Sequence, residues 1–80
     1  MARFTPQLDF QPADKGSYMA TAVGWTFFVD HDPDADQWTA FAYPDGSDEP
    51  RYRAAKSREH GESLCQAAIV GGFSAWHCDG

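Results

Sequence analysis

The chain has 80 residues, and twelve acidic against six basic residues give it a formal charge of −6. That length allows one small domain, able to bury roughly 60–65% of its unfolded surface, and the acidic balance argues against a sequence-reading nucleic-acid binder, which is normally basic. No apolar run approaches the ~18–20 residues that span a bilayer, and the N-terminus lacks the basic-then-apolar layout of a secretory signal, so a cytoplasmic protein with no membrane partner is expected. Leu, Ile, Val and Phe number only 12, a composition that leans towards disorder. Twelve aromatic residues oppose that tendency, because each ring can bury roughly 150–250 Å². A small aromatic core is the expectation.

Residues 1–17 contain Pro6, Pro12, Gly16 and Ser17 and only a short Leu8/Phe10 alternation. Proline fixes φ and removes a ladder donor, so this segment is expected as an extended arm with at most an edge strand. From Tyr18 the pattern changes. Val23, Trp25, Phe27 and Val29 recur at every second residue, which predicts a strand over about 18–29, and the partly apolar Ala22, Thr26 and Phe28 suggest cover on both faces. Asp30-His31-Asp32-Pro33-Asp34-Ala35-Asp36 interrupts it as a turn. Gln37–Tyr43 predicts a second strand, Pro44-Asp45-Gly46 a type I turn, and Arg51–Ala55 a short third strand.

Ser57 is placed to cap a helix, with Glu59 and Glu62 near its positive end. Leu64, Ala67, Ala68 and Gly71 form a 3.6-residue stripe, and Gly71-Gly72 is a stop signal. Gly61 weakens the first turn by about 1 kcal/mol relative to Ala. Phe73–His77 has the character of a last short strand. The expected fold is α+β: a three-stranded antiparallel meander followed by one helix packed on the sheet, with that optional C-terminal strand (β-β-β-α-β), as a single domain over residues 18–80.

The charges are segregated along the chain. Residues 16–50 hold seven acids (Asp30, Asp32, Asp34, Asp36, Asp45, Asp48, Glu49) and no base, whereas residues 51–58 hold Arg51, Arg53, Lys56 and Arg58 and no acid. Solvated loops beside a basic strand account for this pattern; so does an acidic recognition surface carried on hairpin ends. Adjacent turns of a meander lie at opposite ends, which weakens the picture of one patch. In extended backbone Asp30, Asp32, Asp34 and Asp36 would stand on one side about 6.5–7 Å apart, comparable with twice the ~3.4 Å per-strand charge spacing of DNA. Pro33 opposes a continuous extended run. Trp38 follows the acids directly and is the ring to expect as a partner anchor, against core roles for Trp25 and Trp76.

Other chemistries fit less well. An EF-hand loop needs Gly at its sixth position and Glu at its twelfth; counted from Asp30 these are Ala35 and Phe41, and from Asp32 they are Gln37 and Tyr43. Cys65, Cys78, His60 and His77 lack zinc-site spacing, and the sequence leaves a Cys65–Cys78 pairing open. His60 lies about 140° around the helix from Cys65, so the two do not form a nucleophile and its base. No glycine-rich phosphate loop leads into a helix. The four bases of 51–58 are few for an RNA or phosphate site. No cofactor, metal or catalytic residue is expected.

Two resemblances follow from these features. The β-β-β-α-(β) order with the serine-led helix Ser57-Arg58-Glu59 resembles the small HicB-type antitoxin domains over about residues 18–77, in organisation alone. That implies a partial RNase H-like fold and a protein-binding role; the DNA-binding segment usual in such antitoxins has no counterpart in these residues. The size, the Asp30–Asp36 run and the acidic Asp45–Glu49 turn are similar to phage-encoded anti-CRISPR proteins. This implies a non-enzymatic inhibitor that binds a CRISPR effector subunit over its basic nucleic-acid-binding surface. Asp30, Asp32, Asp34, Asp36, Asp48 and Glu49 would meet Lys/Arg on the partner, with Trp38 as the anchor.

Overall fold

Six strands, rather than the expected three-stranded meander with an optional C-terminal strand, form one antiparallel sheet in the order β1 to β6. The computed structural model describes residues 7–14, 16–22 and 24–78. β1 is Gln11–Pro12, β2 Tyr18–Ala22, β3 Trp25–Asp32, β4 Gln37–Pro44 and β5 Arg51–Ala55; the helix α1 (Arg58–Gly71) and β6 (His77–Cys78) complete the chain. Residues 1–6 and 15 of the expected arm, Val23, and residues 79–80 lie outside the described residues. No helix among the described residues is long and apolar enough to cross a membrane.

The three-stranded expectation fails in three places, each for a local reason. The strand expected over 18–29 is two strands, because Ala22 pairs with Trp25 across a two-residue connection in which Gly24 has φ 84°. Positive φ is easy for glycine, which is what such a tight hairpin needs. At the sheet's far side β1 adds through Gln11 opposite Met19 and Pro12 opposite Tyr18, so proline sits in an edge strand. At the other edge β6 pairs His77 with Tyr52 and Cys78 with Arg51, while residues 73–76 of the expected last strand are turn and bend. The Pro44 turn also differs: Ser47 N–H donates to Pro44 O at 3.0 Å, which puts Gly46, at φ 79°, in the third position and gives the type II signature.

Register assigns each side chain to a face. Phe27 stands opposite Ala20 and Ala42, and Val29 opposite Tyr18 and Ala40. Phe27, Val29, Ala40 and Ala42 are fully buried with Cys65 of α1, so this is the helix-covered face. Ser57 caps the helix, its side chain accepting from His60 N–H at 3.1 Å, while His60 Nδ1 accepts from Lys56 N–H at 2.9 Å. The N3 histidine thus reaches back one residue beyond the N-cap, where a capping box would bond the N-cap amide itself. Gly72, at φ 89°, closes the helix by donating to Ala68 O. Leu8 N–H donates to Gln66 Oε1 at 2.9 Å and fastens the N-terminal segment to the helix.

The buried helix stripe is Gly61, Cys65 and Ala68, not the expected Leu64-Ala67-Ala68-Gly71. Leu64 is only half-buried, and Ala67 and Gly71 are exposed. Gly61 explains the rotation. A Cβ placed there would stand 2.8 Å from Val29 Cγ1 and 3.3 Å from its Cγ2, so the helix backbone touches the sheet. Gly61→Ala gains about 1 kcal/mol of helix propensity but forces a methyl against a stiff, fully buried β-branched side chain. Overpacking of that kind costs about 1–3 kcal/mol. The expected outcome is a net loss of stability and a lower denaturant midpoint in urea unfolding, and a smaller penalty for Gly61→Ala when it is introduced into a Val29→Ala background.

Candidate functional site

The acidic run does not continue as one extended ladder. Asp30 and Asp32 belong to β3, whereas Asp34 and Asp36 lie in the four-residue loop 33–36, closed by the Asp32–Gln37 pair. Asp32 Oδ1 accepts from Asp34 N–H at 3.0 Å, an Asx-type turn that the sequence pattern allows. Asp36 takes φ 49°, a left-handed conformation tolerated best by Asn and Asp among non-glycine residues. Its carboxylate lies 3.0 Å from His31 Nε2, and the His31 ring stacks on Trp38 with centroids 4.5 Å apart. Asp32, Asp34 and Asp36 are all exposed at this hairpin tip.

Trp38 is half-buried, packed against the core cluster on the helix-covered face, so its ring serves the His31 stack more than an outward anchor. Asp48 and Glu49 are exposed in the connection between β4 and β5. That connection and the hairpin tip are separated by the length of β4, eight residues or about 24 Å. Thus the structure brings Asp32, Asp34 and Asp36 together with His31 and Trp38, and places Asp48 and Glu49 at the other end of the sheet.

Two of the four bases of residues 51–58, Arg51 and Arg58, are engaged within the molecule, whereas Lys56 is exposed. Arg51 lies over the Trp25 ring at 5.2 Å and the Phe73 ring at 5.7 Å. Arg58 sits 3.9 Å from the Tyr18 ring centroid and donates from Nε to Glu62 at 2.7 Å. That Glu62 hydrogen bond is the leading cause of a raised Arg58 pKa. Arg51 and Arg53 stand opposite Ala42 and Ala40, so both belong to the helix-covered face.

Alternation leaves the second sheet face to Met19, Thr26, Phe28, Asp30, Thr39, Phe41, Tyr43 and Tyr52. The sequence reading expected cover on both faces; among the described residues the single helix covers one. Phe28 and Tyr43 meet edge to face, with centroids 5.6 Å apart and planes at 87°. With Phe41, Asp30 and Ser17 they line an open hollow of about 250 Å³. Burial pushes the Asp30 carboxyl above its usual range, and desolvation is the cause of that shift. The signal for this hollow was present as the second alternating set, 26/28/30 against 39/41/43, once the first set is known to face a helix.

Among the described residues no three Asp, Glu, His or Cys side chains converge as a metal site requires. Cys65 and Cys78 are both free. Burial, with a lesser push from Glu62, raises the Cys65 thiol to about 12. Family models, curated proteins and solved structures show no match to this chain.

Two measurements check this account. A raised carboxyl pKa means that the folded state favours the protonated form, so stability from Asp30 is gained as pH falls through its folded pKa towards the unfolded value. Asp30→Asn is therefore expected to melt higher than the wild type at pH 7, with the difference closing at about pH 3. With a chromogenic thiol reagent at pH 8, one equivalent, exposed Cys78, should react rapidly, and Cys65 only on unfolding.

Proposed function

We propose that this chain is a non-enzymatic inhibitor that binds a protein with a basic nucleic-acid-binding surface and keeps nucleic acid off it. The observation that supports this reading is how the charge is displayed. Asp32, Asp34 and Asp36 stand exposed on one hairpin tip, while Arg51 and Arg58 lie against the chain's own rings. The outward field at that tip is acidic, which favours encounter with lysine- and arginine-rich surfaces and repels nucleic acid itself. A CRISPR effector subunit is the partner implied by the anti-CRISPR resemblance, and the inhibitor would act in the cytoplasm by steric and electrostatic exclusion. Asp30 would add a contact from the open face, and Asp48 and Glu49 from the far end of the sheet if the partner spans it.

A second reading is favoured by one observation. Ser57 caps the helix, as in the serine-led helix on which the HicB-type resemblance rests, although a six-stranded sheet stands in place of the β-β-β-α-β order. On that reading the partner is a small basic toxin, and the mechanism, occlusion of a nucleic-acid-handling surface by an acidic one, is the same.

The deciding experiment is competition. The purified protein is titrated into a DNA-bound CRISPR effector, and separately into a candidate toxin with its RNA substrate, each at low and at 300 mM salt. Displacement of nucleic acid is expected, weakening with salt. The Asp32→Asn,Asp34→Asn,Asp36→Asn variant, which keeps the amide oxygen that caps the turn, should need about tenfold more protein for the same effect. Equal potency of the variant removes the hairpin tip from the mechanism, and co-purification with only one partner class chooses between the readings.

A further inference from the structure

We infer that the hollow on the open sheet face is a receptor for a single arginine side chain presented by the protein partner. Three aromatic rings, Phe28, Phe41 and Tyr43, and one carboxylate, Asp30, line it together with Ser17. Guanidinium is planar, stacks on aromatic faces and forks onto a carboxylate, so it meets both wall types at once; an ammonium head meets them less completely. The perpendicular setting of Phe28 and Tyr43 gives a ring face and a ring edge at the same corner. The hollow, about 250 Å³ and open on one side, has room for one long side chain.

Charge complementarity selects the cation. On this face of β2 to β5 the described charged side chains are Asp30 and, at the strand end, Asp32; Arg51 and Arg53 both lie on the opposite face. No described donor or cation offsets the burial of Asp30, whose shift has desolvation as its cause. An arriving guanidinium would relieve that cost. The chain already uses this pairing internally: Arg58 lies on the Tyr18 ring while bonded to Glu62.

This deepens the inhibitor reading by naming how the partner is held, yet its test needs no partner. The probes are the peptides acetyl-Gly-Arg-Gly-amide and acetyl-Gly-citrulline-Gly-amide, the second a neutral isostere, added to the whole protein while aromatic and backbone NMR signals are followed. The arginine peptide should shift the Phe28, Phe41 and Tyr43 ring signals with a millimolar dissociation constant, and the citrulline peptide should not. Asp30→Asn should weaken arginine binding about tenfold. Phe41→Leu, which keeps apolar bulk but removes a ring, should weaken it measurably. Equal shifts from both peptides, shifts confined to the 32–36 tip, or unchanged affinity in Asp30→Asn would each overturn the receptor. Such a failure would leave the competition experiment to decide the inhibitor reading on its own.

Discussion

The structure depends on how closely one helix approaches one sheet. At Gly61 the gap is smaller than a methyl group, and the facing residues are small on both sides: Cys65 and Ala68 on the helix, Ala40, Ala42 and Ala55 on the strands. Small residues bring backbones together but bury little apolar area each. The rest of the burial comes from rings at the margins. Phe27 fills the centre, Trp25, Phe73 and Trp76 pack at one end, and Leu8 and Phe10 of the N-terminal segment close over the helix side. A chain with so few aliphatic residues can fold because the aromatics carry the volume and the alanines carry the proximity.

One helix cannot cover both faces, and that leaves an open face on the sheet. Fourteen residues make a rod about 21 Å long and roughly 10 Å wide, enough for the middle three strands on one side. An antiparallel sheet with a solvated face ordinarily turns polar residues outward. Here Phe28, Phe41, Tyr43 and Tyr52 occupy that face, half-buried, with Phe41 against Tyr52 and Tyr52 against His77. Rings kept there without a core to serve depart from folding economy, and the proposed binding role would account for them.

Much of the middle of the fold was legible in the sequence, because each element there has both a period and a boundary. Gln37 onward alternates and ends at Pro44-Asp45-Gly46; the helix has Ser57 before it and Gly72 after it. The β2–β3 hairpin was missed because Val23-Trp25-Phe27-Val29 is spaced like a single strand. A two-residue connection in fact reverses parity, so that Ala20 and Ala22 share a face with Trp25 and Phe27. Gly24 was the one residue announcing it. Strands of two residues, such as β1 and β6, are too short for any period and exist only through their neighbours. The helix stripe was misread because hydrophobicity favours Leu64, whereas contact distance is decided by the missing Cβ of Gly61. At the site, the acids were legible as exposed, but their line was not, because a hairpin needs a left-handed residue at Asp36 and Pro33 ends the strand.

The two surfaces that remain are joined along β3. Asp30 sits in the aromatic hollow and Asp32 lies two residues on, where the exposed hairpin tip begins. These acids act at different ranges. Exposed carboxylates at a tip attract a basic surface from a distance, set its approach and raise the association rate, but contribute little once screened in contact. A half-buried carboxylate among rings does little at a distance, yet holds a cation that has shed its water. On the proposed inhibitor reading, the ordering along one strand, from hollow to tip, would separate capture from retention. On that reading the cost of ionising Asp30, set by its burial, is relieved when the partner's cation arrives.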